Sequence, residues 1–314
     1  MIQIGIIGLG AIGQRLIKQF KEHKEVRIIA ICDRLESLVT KTAGELSDVH
    51  TYTDYQKLLE DDHVHLVYVA VPPKLHHQIV LDVIQSGKHV LCEKPLANSV
   101  EEAEEMLKAA GEANSIHAMN FPLNYEQAPT KFAELIKQDY VGKLRRLQIT
   151  MHFPDWPRLW QKNDWVGGRE QGGFVLEVGV HFIQQTLKVF GNIKNIRSQL
   201  EFPDDSQKCE TGIIATAELE DGTPILIEGL SQISGNEYIG FTAYGSDGVL
   251  TLDNWGELKG GKNGEPLKEI PMESVPQISL INELVKALKG DPAEIYDFEV
   301  GLKAQLVLEQ LRKK

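Results

Sequence analysis

Short apolar runs alternate with amphipathic stretches through the first 120 residues. Residues 2–8 form a β-branched run ending in glycine, and Ile12, Leu16, Ile17 and Phe20 then recur at helical spacing. Apolar runs return at 26–32, at 66–71 before Pro72-Pro73, at 89–92 and at 116–119. Between them, Ile79, Val80, Val83 and Ile84 mark a helix over 76–86, closed by Gly87. Ser99 opens another helix, with Glu101, Glu102, Glu104 and Glu105 in its early turns, where the helix dipole favours acids. Strand and helix in alternation predict a parallel sheet with right-handed crossovers.

The texture changes after residue 121. A helix is predicted over 130–138, and Leu147, Ile149, Met151 and Phe153 alternate along a strand at 144–153. Asp221-Gly222 joins strand candidates at 213–219 and 224–230, and Asp247-Gly248 joins 240–244 to 249–252. Asp-Gly is a strong hairpin signal, because glycine accepts the positive φ of such turns. Two helices follow, at 279–289 and 298–312; the second carries Val300, Ala304, Val307, Leu308 and Leu311 on one stripe. The expected architecture is a doubly wound α/β Rossmann domain over 1–120, then an α+β domain with a large, mostly antiparallel open sheet over 121–314. The C-terminal helix is a candidate to fold back on the first domain. Ligand sites in such arrangements lie at the carboxyl ends of the parallel strands, in the cleft between domains.

Composition acts by exclusion. The chain of 314 residues is 42% hydrophobic and 25% charged, which suits two packed domains. A net charge of -12 argues against nucleic acid and anionic lipid as partners. Cys32, Cys92 and Cys209 are odd in number, scattered and outside any metal-binding spacing. With no signal-peptide pattern and no apolar run near the ~20 residues a bilayer requires, a reduced, cytoplasmic protein without metal is expected.

Candidate chemistry begins at Gly8-Leu9-Gly10-Ala11-Ile12-Gly13, a G-x-G-x-x-G run between a strand and a helix. Gly8 serves the tight turn, Gly10 the approach of a pyrophosphate and Gly13 close packing of the helix, whose N-terminus attracts phosphate. Asp33 ends the second strand, 20 residues beyond Gly13. A carboxylate there accepts ribose hydroxyls and repels a 2′-phosphate, which favours NAD; Arg34 beside it leaves NADP possible. Glu177 and His181 are four apart in a helical segment ended by Gly191. On one helix face, an acid can orient a histidine for proton transfer. Trp156, Trp160 and Trp165 alternate with Arg158, Lys162 and Arg169, a composition that suits a carbohydrate as well as it suits a core.

Two further stretches carry a resemblance. Pro72-Pro73-Lys74-Leu75-His76-His77 follows one strand, and Gly87-Lys88-His89-Val90-Leu91-Cys92-Glu93-Lys94-Pro95 spans the next. With the glycine loop, and with Gly172-Gly173 through Gly191 further on, the chain resembles the glucose–fructose oxidoreductase / inositol dehydrogenase / MocA family over most of its length. The resemblance implies NAD(H) or NADP(H) in the first domain, with Val71, Pro72, Pro73, His76, Glu93, Lys94 and Asn120 beside the glycine loop, Asp33 and Arg34. It implies a sugar, cyclitol or related polyol as substrate, with Lys94 near the nicotinamide and the reacting hydroxyl. It also implies homo-oligomers. The expected activity is hydride transfer, with Lys94, His181 and Glu177 as catalytic residues and Trp156, Arg158, Trp160 and Trp165 as substrate contacts. A redox-neutral NAD-dependent glycoside hydrolase and a non-catalytic dinucleotide-binding regulator are the other readings. The chain departs from the family pattern twice. Glu177 stands where the family has aspartate, and the link Asn120-Phe121-Pro122-Leu123-Asn124-Tyr125 lacks the arginine of many relatives.

Overall fold

The computed structural model describes residues 1–161, 163, 165–272 and 278–313. In chain order the first elements are β1 (Ile2–Ile7), α1 (Ala11–Glu22), β2 (Val26–Cys32), α2 (Glu36–Ala43), β3 (His50–Tyr52) and α3 (Tyr55–Leu59). Then come β4 (Leu66–Val69), α4 (His76–Gln85), β5 (His89–Glu93), α5 (Val100–Glu112) and β6 (His117–Asn120). The chain continues with α6 (Gln127–Lys137), β7 (Leu144–Phe153), a π-helical turn (Val175–Gly179), α7 (Val180–Phe190) and β8 (Ile193–Glu201). The remaining strands are β9 (Gly212–Leu219), β10 (Pro224–Ser231), β11 (Tyr238–Gly245), β12 (Gly248–Asp253), β13 (Glu257–Lys262) and β14 (Lys268–Glu269). The last helices are α8 (Leu280–Lys289) and α9 (Phe298–Arg312).

The chain forms two units, Met1–Asn120 with Ser279–Gln305, and Phe121–Ile278 with Leu306–Lys314. The first is built on a parallel six-stranded sheet in the order β3-β2-β1-β4-β5-β6. Order reverses between β1 and β4, so the loops after these strands diverge and leave a crevice at their carboxyl ends. Ile4, Ile6, Val67, Val69, Val90 and Leu91 are fully buried on both faces, which is why these strands read as unbroken apolar runs. Ser99 caps α5 by accepting from Glu102 N at 3.2 Å, and the Glu102 carboxylate accepts from Asn98 N at 3.0 Å. The α2, β3 and α3 segments were not marked by the hydrophobic pattern; β3 is three residues long and α3 five. The 279–305 segment is tied into this unit by hydrogen bonds to β6. Met119 N donates to Tyr296 O at 2.6 Å, and Phe298 N donates to His117 Nδ1 at 3.1 Å.

The second unit holds an eight-stranded sheet in the order β14-β13-β12-β11-β7-β10-β9-β8. Its neighbours are antiparallel except β7 and β10, which run parallel. Both Asp-Gly turns close the expected hairpins, β9–β10 and β11–β12. One face is covered: rings of Phe132 (α6), Phe182 and Phe190 (α7) lie 5.0, 5.8 and 6.2 Å from Phe241 on β11. The other face carries Ile214, Leu230, Tyr238 and Tyr244 exposed. Among the described residues, no helix is long and apolar enough to cross a membrane.

Candidate functional site

The glycine loop is shaped by contacts that admit no side chain. Gly8 has φ of 99°, and a Cβ on it would lie 2.3 Å from Ala70 O; one on Gly13 would lie 2.2 Å from Gly8 O. Gly10 caps α1, and its missing Cβ faces open space, with nothing within 4 Å. No side chain caps the helix and its first turn carries no acid, so its amide end is available to an anion. Asp33 is held against this loop. Its Oδ2 accepts from Leu9 N and its Oδ1 from Leu35 N, both at 2.9 Å. Arg34 is exposed beside it. An open cradle at Gly10, free helix amides and a fixed carboxylate at the second strand suit the pyrophosphate and ribose of a dinucleotide.

At the carboxyl ends of β4, β5 and β6 lies a buried polar cluster. Glu93 and Asn120 face each other across β5 and β6, and Tyr68 pairs with Leu91, which places it on the same face. Tyr68 Oη donates to Glu93 Oε1 at 2.5 Å, and Asn120 Nδ2 donates to the same oxygen at 2.6 Å. Burial pushes the Glu93 carboxyl above the usual range, while these donors and the Lys94 charge pull it back. Burial and the adjacent carboxylate push the Tyr68 hydroxyl well up, so it remains a donor. Glu93 thus meets a tyrosine and an amide through its hydrogen bonds, and Asn120 spends its amide nitrogen on Glu93, which leaves its oxygen as the acceptor. Lys94 follows at the end of β5, half-buried.

His76, expected beside the cofactor, lies between two loops. It is fully buried, with Nδ1 2.9 Å from Pro95 O and Nε2 2.8 Å from Val71 O. The imidazole lies between the loop after β4 and the loop after β5 and shapes the site from within. Burial keeps the three thiols protonated at neutral pH, pushing Cys32 and Cys209 up to about 12 and Cys92 well above its usual value.

In the second unit Glu177 lies in the π-helical turn and His181 in the first turn of α7, both 6% exposed. The regular helix expected here is locally widened, a distortion frequent at functional sites. Glu210 anchors the start of this segment: its Oε1 accepts from Val175 N at 2.8 Å. Gly173, at φ 101°, makes room, since a Cβ there would lie 2.2 Å from Glu210 Oε2; one on Gly172 would lie 2.3 Å from Trp165 O. Burial raises the Glu210 carboxyl, and the Val175 amide and the Arg312 charge lower it.

The aromatic cluster is only partly as expected. The Arg158 guanidinium lies 4.8 Å from the Phe153 ring, 5.5 Å from Trp156 and 6.0 Å from Trp160 and Trp255. Its Nε and Nη2 donate to the two carboxylate oxygens of Glu237 at 2.8 Å each. Trp165 N donates to Asn163 Oδ1 at 3.2 Å. Arg169 belongs elsewhere, 4.1 Å over the Phe202 ring. Lys162 lies outside the described residues. Trp255, on the β12–β13 turn, joins this cluster to His181: its ring is 5.3 Å from the imidazole, edge to face at 85°. Tyr68, Glu210 and Trp255 were not singled out from sequence. Only Trp255 left a signal, as a tryptophan inside the turn Asp253-Asn254-Trp255-Gly256.

Comparison with known proteins agrees with this geometry. Residues 2–121 match the oxidoreductase family with an NAD-binding Rossmann fold, and 130–251 match the GFO/IDH/MocA C-terminal domain. An uncharacterized oxidoreductase of Schizosaccharomyces pombe is 30% identical over 59% of this chain and 49% of its own length. The myo-inositol 2-dehydrogenase of Thermotoga maritima is 28% identical over 60% of this chain and 55% of its own. The chain thus spans about half the length of these two relatives. A 3-ketoreductase from Actinomadura kijaniata, solved with NADP and TDP-benzene, shares the fold at TM-score 0.85 and 20% identity, covering 99% of this chain and 97% of that one. By both of its matched regions, and by the loop and strand-end residues that carry them, the chain belongs to the glucose–fructose oxidoreductase / inositol dehydrogenase / MocA family of NAD-binding oxidoreductases.

Proposed function

We propose that this protein interconverts a secondary alcohol and a carbonyl on a sugar, cyclitol or related polyol, by hydride exchange with a nicotinamide dinucleotide. The observation that carries the reading is the glycine loop with Asp33 locked onto Leu9 N, on a chain that also carries Glu93-Lys94-Pro95 at the end of β5. The loop Gly8–Gly13 and the amide end of α1 hold the pyrophosphate, and Asp33 accepts the ribose hydroxyls. When bound, the nicotinamide accepts or returns the hydride. His181 takes the hydroxyl proton and Glu177 orients the imidazole. Lys94 hydrogen-bonds the same oxygen and stabilises its developing negative charge.

Because the Asp33 carboxylate repels a 2′-phosphate, NAD is the preferred cofactor. In fluorescence titration NADH is expected to bind more tightly than NADPH, and Asp33→Ala to remove or invert the preference; unchanged selectivity in the variant would overturn the assignment. The reaction itself is tested by Lys94→Ala, expected to keep NADH affinity within a few-fold and to lose turnover by about 10²-fold or more. Normal turnover would sink the role of Lys94.

Self-association is proposed through the exposed sheet face bearing Ile214, Leu230, Tyr238 and Tyr244, since an apolar sheet face left in water favours a second copy. The three buried, unpaired thiols support a reducing, cytoplasmic location.

A further inference from the structure

The β12–β13 hairpin turns through Asp253-Asn254-Trp255-Gly256, closed by Gly256 N donating to Asp253 O at 3.2 Å. Its two central residues have positive φ, 47° at Asn254 and 75° at Trp255. That is the mirror-image turn in which asparagine followed by glycine is preferred. Asparagine is in place, but the second position holds the bulkiest side chain, where an L-residue crowds its own backbone. A local rule broken in this way points to a use for the side chain.

The ring lies on the acid–histidine segment. It is edge to face with His181 at 5.3 Å, and Phe182 backs it at 5.4 Å and 33°. His181 and Phe182 are buried, whereas Trp255 is half-exposed. The Arg158 guanidinium is 6.0 Å from the indole, and its charge is taken up by the two-pronged bond to Glu237. The wall beside His181 is therefore aromatic, and the guanidinium that lies against it is already paired with Glu237.

We propose that Trp255 is a specificity-determining residue: the wall against which the C–H face of an uncharged ring polyol lies while His181 takes its hydroxyl proton. The inference rests on the dehydrogenase reading for the role of His181. Aromatic faces suit the apolar side of such rings, and the guanidinium beside the indole is bound to Glu237 rather than open to a substrate carboxylate or phosphate.

The test uses Trp255→Gly and Trp255→Asn, which both suit positive φ and remove the ring, with Trp255→Phe to restore an aromatic face. Binding of myo-inositol, glucose and glucuronate to the NADH-saturated protein is followed by calorimetry, and dehydrogenation with NAD gives KM and kcat. The wild type is expected to bind the neutral rings better than glucuronate. Gly and Asn should weaken neutral binding about tenfold, Phe should recover most of it, and melting temperature should hold or rise because the turn relaxes. Four results overturn the proposal: neutral affinity unchanged without the ring, glucuronate preferred, no binding of any neutral probe, or weakened binding matched by a fall in melting temperature, which would assign Trp255 to packing. Failure of the dehydrogenase reading shows separately, as neutral rings that bind the NADH-saturated wild type but give no NAD-dependent turnover.

Discussion

Replacing Tyr68 with phenylalanine removes one oxygen where three side chains meet. The tyrosine is fully buried, its hydroxyl donates to Glu93 Oε1 at 2.5 Å, and Asn120 donates to that oxygen at 2.6 Å. Phenylalanine keeps the ring and its edge contact with Phe20, 6.0 Å away, so packing is conserved and the loss is the hydrogen bond. A bond to a charged group contributes about 1.5–3 kcal/mol, and in a buried site water does not replace it. At about 2–4 °C per kcal/mol for a unit of this size, the melting temperature should fall by about 3–12 °C. The deficit should also depend on pH. Burial already raises the Glu93 carboxyl above its usual range, and losing a donor raises it further. A carboxyl raised in the folded state binds more protons there than when unfolded, so its contribution to stability falls as pH rises through that window. Denaturant unfolding of wild type and variant at about pH 5 and about pH 8 should show the larger deficit at the higher value. Equal deficits at both would refute an ionised Glu93 held by Tyr68.

Other expectations follow from the same structure. Gly173→Ala places a methyl 2.2 Å from Glu210 Oε2 at a φ of 101°, so the carboxylate must leave Val175 N. Melting temperature and kcat/KM should both drop, and kcat/KM at the wild-type level would show that Glu210 does not position the Glu177–His181 segment. Burial holds His89 and His117 below the usual histidine range, and their Nδ1 atoms accept from Ile116 N and Phe298 N at 3.1 Å. A depressed histidine contributes stability above its unfolded value of about 6.5, and that stability is lost as pH falls below it. Thermal melts should therefore weaken from about pH 6.5 toward 5, with faster hydrogen exchange at the Phe298 amide. A flat profile would contradict this.

What could be read from sequence followed from local rules. Ser99 with Glu102, the two Asp-Gly hairpins and the glycine loop each satisfy a backbone requirement within a few residues, so their signals survive in one dimension. The apolar runs of β1, β2, β4 and β5 announced a sheet buried on both faces. The short α2, β3 and α3 carry too few apolar positions for a period to register.

The sequence by itself determined the class of fold, the dinucleotide loop and the presence of Lys94, Glu177 and His181, because these rest on periodicity and on motifs of fixed spacing. Only the tertiary structure decided the rest. It joined β7 to β10 in parallel and set Glu93 between Tyr68 and Asn120. It closed His76 off between two carbonyls, committed Arg158 to Glu237 79 residues away, and laid Trp255 against His181. The physical reason is common to all of these. A buried polar group or ring must find its partner across the sheet or the turn, and partners far apart in sequence leave no periodic trace.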